Sequence, residues 1–174
     1  ALFMANSRSL VRASMMVAEQ PHLGLANANR LVCADAVDGM FLTLFYGQLD
    51  PASGRLLFIN AGHNPPLLYR HGKTTPAELS RTSMALGVDE MAGFQEGQVT
   101  LQPGDLLVMF TDGLPDAMDD QGREFGMEQV QAAIQQHLGA PVTQMMAGLL
   151  EALKAHTGAA PPFDDVTIAA VRRL

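Results

Sequence analysis

Hydrophobic positions in the opening stretch, ALFMANSRSLVRASMMVA, run through Leu2, Met4, Leu10, Val11, Met15 and Val17 without proline or glycine. This pattern predicts a helix over 1–18 with a polar side at Asn6, Ser7 and Arg8. No capping residue precedes it, so it reads as a helix entered from upstream. A second helix is expected over 23–34, ending before a turn at Asp38-Gly39. From Met40 the pattern changes to MFLTLFYGQLD, then PASGR, then LLFIN, which predicts two strands joined by a Pro/Ser/Gly turn. Residues 93–101 read as another strand. QPGD turns the chain into LLVMF (106–110), a continuous apolar run of the kind buried on both faces. Helix is expected over 127–138, and Pro141 stands at the first position of another. In that helix Val142, Met145, Met146, Leu149, Leu150 and Leu153 recur three and four residues apart as one core-facing stripe. The terminal DDVTIAAV reads as a last strand. No repeat or low-complexity linker divides the chain, which predicts one domain, or most of one, over 1–174.

Composition narrows the function classes. Hydrophobic residues are 48% of the 174, while charged residues are only 17%, and the 18 acidic against 11 basic side chains give a net charge of -7. That balance, without a basic stripe, excludes sequence-independent nucleic-acid binding. Acidic residues crowd one stretch: Asp105, Asp112, Asp116, Asp119, Asp120, Glu124 and Glu128 stand against Arg123 alone. Such a stretch is either a solvated face or a place where cations collect. It lacks the alternating spacing of an EF-hand loop. The single cysteine, Cys33, excludes an internal disulfide and paired-cysteine zinc sites, and reads as a buried small hydrophobe. The apolar runs are too short to cross a bilayer, so a non-membrane-spanning, cytoplasmic domain is expected.

Candidate chemistry gathers where strands meet turns. Asp112 follows the buried strand directly, and Asp164 with Asp165 immediately precedes the last one. If the two strands are antiparallel neighbours, the end of one lies beside the start of the other and these aspartates meet at one edge. Carboxylate oxygens are hard ligands suited to Mg²⁺ or Mn²⁺. Two such ions about 3.5–4 Å apart are suited to phosphate ester hydrolysis. Gly113 would allow close backbone approach there. Plain turn chemistry is the competing explanation, because aspartate stabilises turns through its own side chain. In AGHNPP, His63 and Asn64 follow a strand and are read as a loop shaping the edge of a site, with His63 also an acid or base candidate. His22, His71, His137 and His156 read as surface residues.

Several segments together resemble the SpoIIE branch of PP2C-like Ser/Thr phosphatases, which includes the Rsb regulators of stress sigma factors. They are FLTLFYGQLDPASGRLLFINAGHNPPLLY (41–69), ALGV (85–88), LQPGDLLVMFTDGLPDAMDDQGREFG (101–126) and FDDVTIAAVR (163–172). The resemblance implies an α+β fold, two packed antiparallel β-sheets flanked by helices in an α-β-β-α sandwich, with a two-metal centre at one end. It casts Asp112 and Asp164 as catalytic metal ligands, with Gly113, Asp165, His63, Asn64 and Asp116 in support, and Mn²⁺ or Mg²⁺ as the ions. It further implies a phosphoserine or phosphothreonine substrate on a regulatory protein, such as a STAS-type anti-anti-sigma factor.

Two departures qualify this. The family follows TDG with an apolar residue and Thr-Glu-Ala, whereas TDGLPDA places Pro115 and Asp116 there. The family also expects an Asp-x-x-Gly-His-Gly type motif just before the segment matching ALFMA. The domain is therefore expected to be N-terminally incomplete, to hold part of the metal centre, to bind Mn²⁺ weakly and to turn over little. The alternative is a catalytically impaired phosphatase-like module that binds a signalling partner.

Overall fold

The computed structural model describes residues 2–37, 39–161 and 164–174. Along the chain lie α1 (Leu2–Val17), α2 (Pro21–Asp35), β1 (Leu44–Leu49), β2 (Arg55–Ala61), β3 (Leu67–Tyr69) and β4 (Ala77–Glu78). They are followed by β5 (Gly97–Thr100), β6 (Leu106–Phe110), α3 (Gly126–Gln135), α4 (Val142–Thr157) and β7 (Ile168–Arg172). The class is α+β, with two antiparallel sheets flanked by helices. The chain forms two compact units: one takes the chain up to Pro65 together with Ser80–Thr100, the other Pro66–Leu79 with Leu101–Leu174.

In the first unit the sheet order is β1-β2-β5. The β1–β2 hairpin closes on Asp50, whose carboxylate accepts from Ala52 N at 3.0 Å and Ser53 Oγ at 2.6 Å, while Gly54 supplies a φ of 75°. Leu25, Ala28 and Val32 of α2 are fully buried in a cluster with Ile59, Ala61 and Leu86, and Phe3, Leu10, Val11 and Met15 of α1 pack on it. The helices approach closely because Gly24 has no side chain: a Cβ there would lie 2.7 Å from Met15 Sδ.

The second unit is built on the sheet β4-β3-β6-β7. Leu106, Val108 and Phe110 of β6 join Leu67, Tyr69, Val130 and Ile134 with Met145 and Leu149 of α4 in one buried cluster. Each such aliphatic side chain contributes about 1.5–3 kcal/mol on leaving water.

Several expectations change in detail. Ser7 and Ser14 are the buried residues of α1, whereas Leu2, Met16 and Val17 are largely exposed. Small residues are what the close face of a helix pair admits, and Asn27 Nδ2 donates to Ser14 Oγ there. Cys33 is half-buried, its thiol 3.7 Å from Asn29 Oδ1. Pro141 precedes α4, its carbonyl accepting from Gln144 and Met145 N at 3.0 Å each. Leu150 is 47% exposed, since only Met145 and Leu149 of that stripe face the core centre. His22, His137 and His156 are half-buried: His22 pairs with Glu96 at 2.8 Å, and His156 accompanies Phe125 at a centroid distance of 5.4 Å. The Asp38 of the anticipated Asp38-Gly39 turn and Phe163 of the last motif lie outside the described residues, while Gly39 has the positive φ of a turn, 76°.

Candidate functional site

β6 and β7 are antiparallel neighbours, paired from Leu106↔Arg172 to Phe110↔Ile168. This is the arrangement required for the segment after β6 to lie beside the segment before β7. Beyond the last paired residues, Thr111 continues the contact: its N donates to Thr167 O at 3.0 Å, and its Oγ1 accepts from Thr167 N at 3.0 Å and donates to Asp165 O at 3.1 Å. The side chain thus replaces ladder bonds, which is why β7 begins at Ile168 rather than at Asp164.

Gly113 packs against the same segment. A Cβ at this position would stand 2.5 Å from Asp165 O and 3.4 Å from Asp164 Cβ. The glycine therefore permits a close approach of two backbones, and the TDG and DD segments are held side by side. Asp112 and Asp164 are both exposed. Each carboxylate has one oxygen held by the next amide, Gly113 N to Asp112 Oδ1 at 3.0 Å and Asp165 N to Asp164 Oδ1 at 2.7 Å. Asp116 closes a helical turn on the same loop, its N donating to Asp112 O at 2.9 Å.

Beside this edge opens a cavity of 220 Å³, lined by Gly113 and Asp164 and walled by Met118, Leu150, Leu153 and Lys154. Its walls are largely apolar, and exposed Leu150 of α4 faces into it. The donor set at the edge, carboxylates and peptide oxygens, suits a hard divalent cation. Among the described residues no group of three or more His, Cys, Asp or Glu side chains assembles to hold one.

Two other acidic residues of this stretch, Asp119 and Asp105, serve the chain itself. Asp119 accepts from Arg123 N and Gln121 N at 2.9 Å each and pairs with the Arg123 guanidinium at 2.7 Å. The Arg123 amide, followed by its guanidinium and the Gln121 amide, holds this carboxyl below its usual pKa against the opposing effect of desolvation. Asp105 is buried at the far end of the sheet, accepting from Gln102 N and His71 N at 2.8 Å and from Arg70 Nη1 at 2.7 Å. Burial alone would push its carboxyl up; the two amides and Arg70 together outweigh that and lower it. His63 and Asn64 belong to the other unit. There His63 N donates to Asn60 Oδ1 at 2.9 Å, and its Nδ1 lies 3.2 Å from Thr43 Oγ1.

Thr111 is the residue of this edge that the sequence pattern did not single out. Its signal is slight: a hydroxyl-bearing residue between a buried strand and TDG's aspartate.

Two antiparallel sheets with flanking helices are the architecture of the PP2C-like class of protein phosphatases. A family model described as Stage II sporulation protein E (SpoIIE) matches residues 1–174, and the chain belongs to that family. It is 31% identical over 134 residues to Protein IcfG of Synechocystis, covering 77% of this chain and 21% of that protein. It is 25% identical over 133 residues to the Bacillus subtilis phosphoserine phosphatase RsbU, covering 76% of this chain and 39% of RsbU. The chain thus spans between about a fifth and two fifths of these relatives. The solved SiaA-PP2C domain of Pseudomonas aeruginosa superposes with a TM-score of 0.81 over 99% of this chain and 68% of that one, at 20% identity.

Proposed function

We propose that this chain is a phosphatase-like module that binds a phosphoserine- or phosphothreonine-bearing regulatory protein of the cytoplasm while its own hydrolytic capacity is impaired. The observation that carries the reading is the composition of the β6–β7 edge. The Asp112 and Asp164 segments lie side by side there, yet among the described residues no third ligating side chain joins them in a group. Two-ion phosphate hydrolysis needs enough carboxylates to hold both cations and to leave a position for water. The apolar cavity next to Asp164 offers a seat for a partner side chain flanking the phosphorylated residue. A STAS-type anti-anti-sigma factor is the partner class that family membership favours.

A second reading, metal-dependent hydrolysis of the same phosphoprotein, is supported by the name of RsbU, a phosphoserine phosphatase. Under it Asp112 and Asp164 would hold Mn²⁺ or Mg²⁺, with Asp165, Asp116, His63 and Asn64 in support. The bound ions would supply Lewis acidity toward the phosphoryl group. The chain's own contribution is to fix the Asp164 segment through Thr111 and to keep the backbone approach open at Gly113.

The experiment is a paired one on a phosphorylated STAS-type protein with Mn²⁺ present. Binding is expected to be measurable, with phosphate release near background and unchanged in Asp112→Asn. Release well above background that falls at least 100-fold in Asp112→Asn would overturn the impaired reading in favour of the second; absence of binding and of turnover would remove both.

A further inference from the structure

We propose that the end of the β3-β6-β7 sheet opposite the aspartate edge carries a binding site for a small oxyanion, a phosphate or carboxylate group. The site is separate from the aspartate edge: Leu106 and Arg172 stand four strand positions from Phe110 and Ile168, about 14 Å along the strands. Here the turn after β3, the Gly104 turn and the corner after α3 enclose a cavity of 420 Å³. That size falls in the range of small-molecule pockets.

Its lining is basic and rich in donors. Arg70, His71, Lys73 and Arg172 contribute to it, with Gln135 from α3 and Tyr69 from β3. Tyr69, Leu106 and Arg172 lie in one row across three strands, so their side chains share a face. Two donors in this row are buried and, among the described residues, have no hydrogen-bond partner: the Tyr69 hydroxyl and Arg172 Nε. Buried polar groups of this kind are rarely left unmatched in a folded protein. Arginine nitrogens can only donate. Burial pushes the Tyr69 phenol up to about 12, so it too remains protonated and a donor. What both lack is an acceptor.

The surroundings select a charged one. Arg172 Nη2 is already committed to Leu138 O at 2.7 Å, which fixes the guanidinium in place. The nearby carboxylate, Asp105, is occupied by Gln102, His71 and Arg70 and is held ionised within that set. An oxyanion entering from the Lys73 side would meet excess positive charge and could offer oxygens to the two buried donors.

The test is calorimetric titration of the chain with inorganic phosphate, glycerol phosphate and succinate at matched ionic strength. Divalent cations are removed beforehand by passage over a chelating resin so that no cation at the aspartate edge takes part, and the outcome is independent of phosphatase activity. Saturable binding of at least one of the three is expected, and the preferred one identifies the phosphate, monoester or carboxylate source. Lys73→Glu, an exposed change, should abolish it. Tyr69→Phe should weaken it about tenfold, the loss of one hydrogen bond to a charged group, while leaving the ligand-free melting temperature the same or higher. Three results would each overturn the proposal: no saturable binding of any of the three, binding unaltered in both variants, or a ligand-free Tyr69→Phe chain that melts lower than the parent.

Discussion

Gly113 and Thr111 hold the aspartate edge together by different means. At Gly113 the obstacle to any side chain is a peptide oxygen, which cannot swing aside as a flexible side chain would. Gly113→Ala is therefore expected to cost about 1–3 kcal/mol, the usual range for forcing an atom into packed space. It should also part the Asp112 and Asp164 segments, seen as a lower urea midpoint together with shifted amide resonances at 164–167. Thr111 works through two side-chain hydrogen bonds across the strands. Thr111→Val keeps the shape and removes both, for a loss of about 1–2 kcal/mol, whereas Thr111→Ser should lie close to the parent in the same urea titration. An unchanged midpoint in Thr111→Val would show that the strand pairing holds the edge without it.

Most elements were legible because each carries its own periodicity. The unbroken apolar run at 106–110 became β6, and the stripe from Val142 to Leu153 became α4. The hairpin at 44–61 was visible from its Asp-Pro-Ala-Ser-Gly turn. The short strands β3 and β4 were not assigned, since three and two residues are too few to show an alternation. The burial of Ser7 and Ser14 was hidden for a related reason: hydropathy marks the apolar face of α1, whereas the approach of α2 selects for small volume. In the acidic stretch, composition could not separate aspartates turned toward ligands from those consumed by their own loop, because that depends on which amides the fold brings near.

Asp105 shows the consequence at the level of elements. Its carboxylate ties the turn before β6 to the residues that follow β3. Its pKa is lowered in the folded chain, so its stabilisation is full above the unfolded value of about 3.9 and is lost as pH falls through the folded value. Asp105→Asn is expected to cost about 2–3 kcal/mol at pH 7. That corresponds to a melting temperature lower by about 4–12 °C for a chain of this size. The deficit should shrink on acidification below about pH 4, where the parent loses the same contribution. A deficit independent of pH would place the effect elsewhere than in the ionised carboxylate.

At the largest scale, the residues read as site candidates are distributed over both compact units. Asp112, Gly113, Asp116, Asp164 and Asp165 fall in one unit, His63 and Asn64 in the other. Membership of the SpoIIE family was readable from an ordered set of segments, none decisive alone, because the turns and buried strands that build the fold also carry the motifs. What the aspartates do was less legible, since a carboxylate at a strand end serves equally as turn former and as metal ligand. Among the described residues, no helix is long and apolar enough to cross a membrane.

The proposed function turns on whether the Asp112 and Asp164 segments, held side by side at the β6–β7 edge, bind a divalent cation together. Mn²⁺ titration followed by paramagnetic broadening of amide resonances tests it most directly. Signals of Gly113 and Asp165 are expected to broaden together and first, with an apparent Kd of about 10⁻⁴–10⁻³ M, the weak end of oxygen-ligand sites, and Asp164→Asn should remove the effect. Broadening centred away from both segments, or tight binding that survives Asp164→Asn, would contradict binding by the two together.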